Sequence, residues 1–207
     1  MVEQLGKLTR LDPHSVWRSE AAEFTPWLQD NIDLLATALG MDIQLVEREV
    51  AVGDVSADLV GEEPGSSRVV IIENQLERTN HDHLGKLLTY AAGKDGGVII
   101  WVSPEIRPEH RDALDWLNRA TQGTVDFFGV ELELLQIEGS PLKAPNFKVV
   151  VAPKSTTHPP RGVNSGSITR FFSRCAERNQ AKTAGPHQGQ QGRLPELVGY
   201  SLREEQI

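Results

Sequence analysis

The stretch Arg68-Val-Val-Ile-Ile-Glu-Asn-Gln75 constrains this chain more than any other. Its four consecutive β-branched residues, Val69 to Ile72, leave no polar face, so they read as a central strand covered on both sides. A strand of that kind needs helices against its sheet, which sets an α/β class. The end of the run is chemically odd, because it stops in Glu73, Asn74 and Gln75. Glu73 and Gln75 are two apart and share one face of a strand. A carboxylate buried there costs several kcal/mol unless it is paired or holds a metal.

The flanking patterns supply the rest of the sheet and its cover. Thr25-Pro26 reads as a helix cap followed by proline at the first helical position. Trp27, Leu28, Ile32, Leu34, Leu35, Ala38 and Leu39 then predict one amphipathic helix that Gly40 stops. Residues 43–52 and 55–60 alternate around the turn dipeptide Gly53-Asp54 and predict a hairpin. Residues 81–93 are helical, with Leu84, Leu87, Leu88, Ala91 and Ala92 on the apolar stripe. Residues 97–102 form a second buried strand. Residues 108–121 form a helix carrying Ala113, Leu114, Trp116 and Leu117. A long strand follows over 125–137, and residues 147–151 close the sheet. The order is α-β-β-β-α-β-α-β(-β), a mixed sheet with helices on its faces. Trp27, Trp101 and Trp116 lie in apolar patterns expected to be core, and Trp17 fits either core or surface.

Charge divides the chain in two. Residues 1–152 carry 13 Lys/Arg against 25 Asp/Glu, whereas residues 153–207 carry 8 against 4. The first part is therefore expected to be an acidic folded domain. Eleven of the last 55 residues are Gly or Pro, which predicts a mildly basic tail with one short helix near 168–178. An acidic body is a poor non-specific nucleic-acid binder, because neutralising phosphates supplies most of that affinity. No apolar run reaches the roughly 18–20 residues of a membrane span, and residues 1–10 lack a signal-peptide core. The lone Cys175 forms no internal disulfide, so a cytoplasmic location is expected.

Asp58 lies on the second hairpin strand, and hairpin pairing would bring it beside Glu73. Two carboxylates that close repel unless a cation separates them, and Mg²⁺ prefers such oxygen ligands with water. His81 and His83, in Asn80-His-Asp-His83, are two apart and diverge on a helix, which suits no zinc pair. Glu47, Arg48 and Glu49 read as a solvated strand edge.

Asp58…Glu73-Asn74-Gln75 resembles the Asp…(Asp/Glu)-x-Lys signature of the PD-(D/E)XK nuclease superfamily. The element order matches the restriction-endonuclease-like core of that superfamily. The likeness extends to a group of bacterial proteins through Trp17, Glu20, the segment Phe24 to Leu28, and the segment Ile72 to Glu77. It is weaker toward the catalytic domain of a mismatch endonuclease. It covers about residues 5–152. The resemblance implies a metal-dependent phosphodiesterase, with Asp58, Glu73 and the Asn74 carbonyl holding Mg²⁺ or Mn²⁺. It implies nucleic acid as the partner, DNA ahead of RNA, and a homodimer if both strands are cut. Gln75 stands where the signature has lysine, and a neutral amide orients water but neutralises no charge. Lys86, on the next helix with Tyr90 one turn further, is the candidate replacement. Among the first-helix acids that relatives use, Glu20 is favoured over Glu23. The alternative is a nucleic-acid- or protein-binding module that keeps the fold without turnover.

Overall fold

The computed structural model describes residues 5–52, 55–66, 68–92 and 97–154. Strands β2 (Gln44–Val52), β3 (Val55–Glu63), β4 (Arg68–Asn74), β5 (Gly97–Ser103) and β6 (Val125–Ile137) share one sheet with β1 (Leu8–Leu11) and β7 (Lys143–Val151). The order across the sheet is β1-β6-β5-β4-β3-β2, and β7 pairs with β6. β4 is central, as its composition requires: it runs antiparallel to β3 and parallel to β5. β1 went unforeseen, and β7 starts at Lys143 rather than at residue 147. Leu8–Leu11 is mostly exposed, so it carries no apolar alternation to announce it. Its strand state comes from antiparallel pairing with Leu134 to Ile137.

Helices cover both faces, dividing β4 by parity. Val70, Ile72 and Leu76 pack with Trp17, Phe24, Leu28 and Leu35 beneath α1 (Thr25–Asp30) and α2 (Ile32–Leu39). Val69 and Ile71 pack with Leu87, Tyr90, Trp101 and Leu114 beneath α3 (His81–Ala91) and α4 (Pro108–Thr121). The parallel pair β4–β5 starts very close: a Cβ on Gly97 would lie 2.6 Å from the Val69 carbonyl oxygen. Only glycine fits there.

Four expectations about the helices need correction. The single helix over 25–39 is two, because Asn31 leaves helical geometry (φ −124°, ψ 33°) and its amide bonds the Trp27 carbonyl. Thr25 is not the cap. The chain turns helical earlier, in a π-helical turn Glu20–Phe24 capped by the Ser19 side chain, and Thr25 is itself helical. Trp116 is 60% exposed and Leu88 43%, since α3 and α4 lie on the sheet along narrow stripes that these residues miss. Gly40 does end α2 in the left-handed region (φ 66°). Trp17 is core, and Glu47, Arg48 and Glu49 are exposed on edge strand β2. The tail from residue 155, with its expected helix near 168–178, lies outside the described residues. No helix among the described residues is long and apolar enough to cross a membrane.

Candidate metal centre

The site forms where the β3–β4 ladder ends. Paired register stops at Leu59↔Ile72. One residue on, Asp58 Oδ2 accepts the Asn74 backbone N–H at 2.8 Å. A side chain thus takes the place of a ladder partner, and that bond fixes Asp58 beside the end of β4. Asn74 adds its backbone to the site. Its side chain lies fully buried, with Nδ2 donating to Thr25 Oγ1 at 2.9 Å and Oδ1 lacking a protein partner.

Glu73 is the centre of the arrangement and is fully buried. Three residues of α3, spaced i, i+3 and i+7, converge on it. Lys86 Nζ donates to Glu73 Oε1 at 2.6 Å. His83 Nε2 stands 3.6 Å from the same oxygen. The Tyr90 hydroxyl lies 2.6 Å from the Ser56 carbonyl and 3.2 Å from Glu73 Oε2, and its one hydrogen serves one of them at a time. Sequence spacing already put Lys86 and Tyr90 on one face. His83 shares that stripe, and only the zinc question hid it.

From the other side of β4, Glu20 Oε2 accepts the Leu76 N–H at 3.1 Å. Glu23 turns away and accepts the Arg18 N–H at 2.6 Å, so only Glu20 joins the site. The reason is the π-helical turn, which rotates the two acids apart where a regular α-helix would align them.

Gln75 does not line the site. It is 1% exposed, and its amide is consumed by structure. Nε2 donates to the Glu77 and Arg78 carbonyls at 3.1 and 2.8 Å, and Oε1 accepts the Trp101 indole N–H at 3.0 Å. The expectation that Gln75 orients water is therefore corrected: its polar atoms are already satisfied. Nothing in the sequence marked Trp101 as its partner, because the two meet only across the parallel β4–β5 pair.

The charges strain against burial. Burial, and then the Asp58 charge, push the Glu73 carboxyl up to about 7, although Lys86 and Tyr90 pull it down. Burial likewise raises Asp58, opposed by the Asn74 N–H and Lys86. Burial and Asp58 raise Glu20. Burial works against the Lys86 ammonium, yet Glu73, Asp58 and Glu20 hold its pKa above the ordinary value. Burial, then Lys86, lower His83. Three carboxylates thus share one ammonium.

A pH dependence follows for the metal-free protein. The folded chain keeps a proton on Glu73 that the unfolded chain releases from about 4.5 upward. Folding binds more protons in that window, so stability falls as pH rises toward about 8 and returns on acidification. The lowered His83 and His110 work the other way, but only below their ordinary 6.5. With chelator present, the melting temperature should rise as pH drops from about 8 to about 6.5, and Glu73→Gln should flatten that rise. Parallel curves for the two proteins would show that Glu73 titrates normally.

No family model matches this chain, and no curated protein matches it. Solved structures similar to it include the EndoMS–dsDNA2 complex, with 18% identity over 53% of this chain and 44% of that one, at TM-score 0.41. A repair endonuclease from Pyrococcus abyssi shows 12% identity over 56% of this chain and 48% of that one, also at TM-score 0.41. The type IIG restriction endonuclease BpuSI shows 15% identity over 82% of this chain and 18% of that one, at TM-score 0.26. The chain spans less than half the length of each of these structures.

Proposed function

We propose that this chain is a metal-dependent phosphodiesterase acting on nucleic acid, DNA ahead of RNA. The observation that carries the reading is Glu73, a fully buried carboxylate beside Asp58 with the Lys86 ammonium 2.6 Å away. Buried acids in such numbers are costly without a cation.

The donor set fits a hard divalent ion such as Mg²⁺. Asp58 and Glu73 offer carboxylate oxygens, and their mutual repulsion is what an ion relieves. Among the described residues no group of three His, Cys, Asp or Glu side chains is arranged to hold an ion alone. Mg²⁺ does not need one: it is commonly held by one or two carboxylates, with water and substrate phosphate completing the shell. Asp58 and Glu73 would hold it, with the Asn74 carbonyl as a further oxygen. Bound there, the ion would neutralise phosphate charge and acidify a water.

The chain's own groups do the rest. The Asn74 N–H keeps Asp58 in place. Lys86 takes the part of the signature's lysine from a different element, with a side chain 31% exposed and able to turn from Glu73 to a phosphate oxygen. Glu20, whose Oε2 accepts the Leu76 N–H, would accept from a water at the edge of the site. Cutting both strands of a duplex would call on two copies of the chain. The acidic balance of residues 1–152 favours the second reading, a binding module without turnover.

One experiment separates the two. Labelled DNA and RNA are incubated with the protein and Mg²⁺ or Mn²⁺, beside Glu73→Ala. Cleavage that needs the ion and is lost in Glu73→Ala supports the nuclease. Binding without cleavage, equal in both proteins, supports the module.

A further inference from the structure

We propose that His83 is a metal ligand, pairing its Nε2 with the Glu73 carboxylate so that the site prefers borderline ions such as Co²⁺ to Mg²⁺. The inference deepens the metal-site reading above and rests on it.

The geometry starts at the cap of α3. Asn80 Oδ1 accepts the His83 backbone N–H at 3.0 Å. A backbone N–H can only donate, so the accepting atom is the amide oxygen and the orientation of Asn80 is settled. The same oxygen lies 3.0 Å from His83 Nδ1. An oxygen that only accepts requires a proton on Nδ1, which leaves Nε2 of the neutral ring with a bare lone pair. Nε2 stands 3.6 Å from Glu73 Oε1. Metal-binding histidines are held in this way, the second ring nitrogen donating to an oxygen that fixes tautomer and orientation.

Distance agrees with the chemistry. Two donors, each about 2.0–2.2 Å from one ion, stand roughly 2.8–3.1 Å apart at octahedral angles and roughly 3.3–3.6 Å apart at tetrahedral ones. The observed 3.6 Å meets the tetrahedral end and exceeds the octahedral one. Asp58, Glu73 and His83 do not stand as a ready three-ligand group, so binding calls for a rotation of the half-buried ring. Lys86, now on the same oxygen, has the exposure to swing aside. Imidazole nitrogen is a poor donor for Mg²⁺ and a good one for later first-row ions, so its presence shifts preference toward them.

The test uses the full chain with any affinity tag removed. Pulsed electron paramagnetic resonance of bound Mn²⁺ detects directly coordinated ¹⁴N, and calorimetry gives Co²⁺ and Mg²⁺ affinities. We expect ¹⁴N modulation in the parent, absent in His83→Gln. We expect Co²⁺ affinity in that variant to fall at least about tenfold, with Mg²⁺ affinity within about threefold. Mn²⁺ that binds, is lost in Glu73→Ala, and shows no ¹⁴N modulation overturns the role of His83 and leaves the carboxylate site standing. A parent that binds no Mn²⁺ overturns both. The parent spectrum decides even if His83→Gln does not fold.

Discussion

Lys86→Met should lower metal-dependent cleavage by about 10²–10³-fold, the usual loss when one charge-stabilising donor is removed from a reacting site. Methionine keeps a side chain of similar shape and deletes only the ammonium. Two consequences compound. A phosphate at the site would lose the ammonium that now stands beside Glu73. Glu73, already pushed up to about 7, loses the partner that pulled it down and shifts further toward the neutral form, which is the weaker metal ligand. Rate should therefore recover in part at higher pH, a signature that simple misfolding does not produce. The check is a rate–pH profile of parent and variant at sub-saturating metal, where protons and the ion compete for Glu73. An unchanged profile and rate would remove Lys86 from the chemistry. Stability should suffer less than for most broken buried pairs, because Glu73 can discharge by taking a proton.

Gln75→Lys, which restores the residue type of the PD-(D/E)XK signature, should harm the protein and bring no gain in activity. The reason is the bonding of the amide. Lysine has donors only, so the Trp101 indole N–H loses its acceptor in a fully buried setting. An orphaned donor costs about 1–3 kcal/mol, and burying an ammonium at a position 1% exposed adds to it. A combined loss of about 3 kcal/mol or more, roughly 10 °C of melting temperature for a domain of this size, is expected. The Glu77 and Arg78 carbonyls also lose the amide that ties the start of the β4–α3 connection to the strand. Since α3 carries Lys86 and His83, damage there reaches the site. Thermal melts and the cleavage assay together test this. A variant that melts with the parent and cleaves faster would mean the pocket at position 75 opens to the phosphate.

The β4 strand, its central place and the polar residues at its end were legible from the sequence alone. A run of β-branched residues has one comfortable setting, and carboxylates after such a run fall where the sheet meets solvent or a ligand. So was the meeting of Asp58 with the end of β4, because the register of adjacent antiparallel strands brings it there by local geometry. The helical spacing of Lys86 and Tyr90 was equally legible, since both sit on one short element.

Whatever depends on two distant segments meeting was visible only in the folded chain. Gln75 was open to a catalytic role until Trp101, on the neighbouring parallel strand, claimed its oxygen. The resemblance favours Glu20 over Glu23, but only the π-helical turn shows why they part, with Glu20 accepting from Leu76 and Glu23 from Arg18. β1 became a strand because β6 offered an edge, not because its own residues asked for one. Trp116 reads as core in sequence yet faces outward, since periodicity gives the apolar stripe of a helix but not how much of it the sheet covers. The common cause is range: periodicity and propensity report neighbours within about a turn or a strand pair, whereas hydrogen-bond partners across a sheet are chosen by the whole fold.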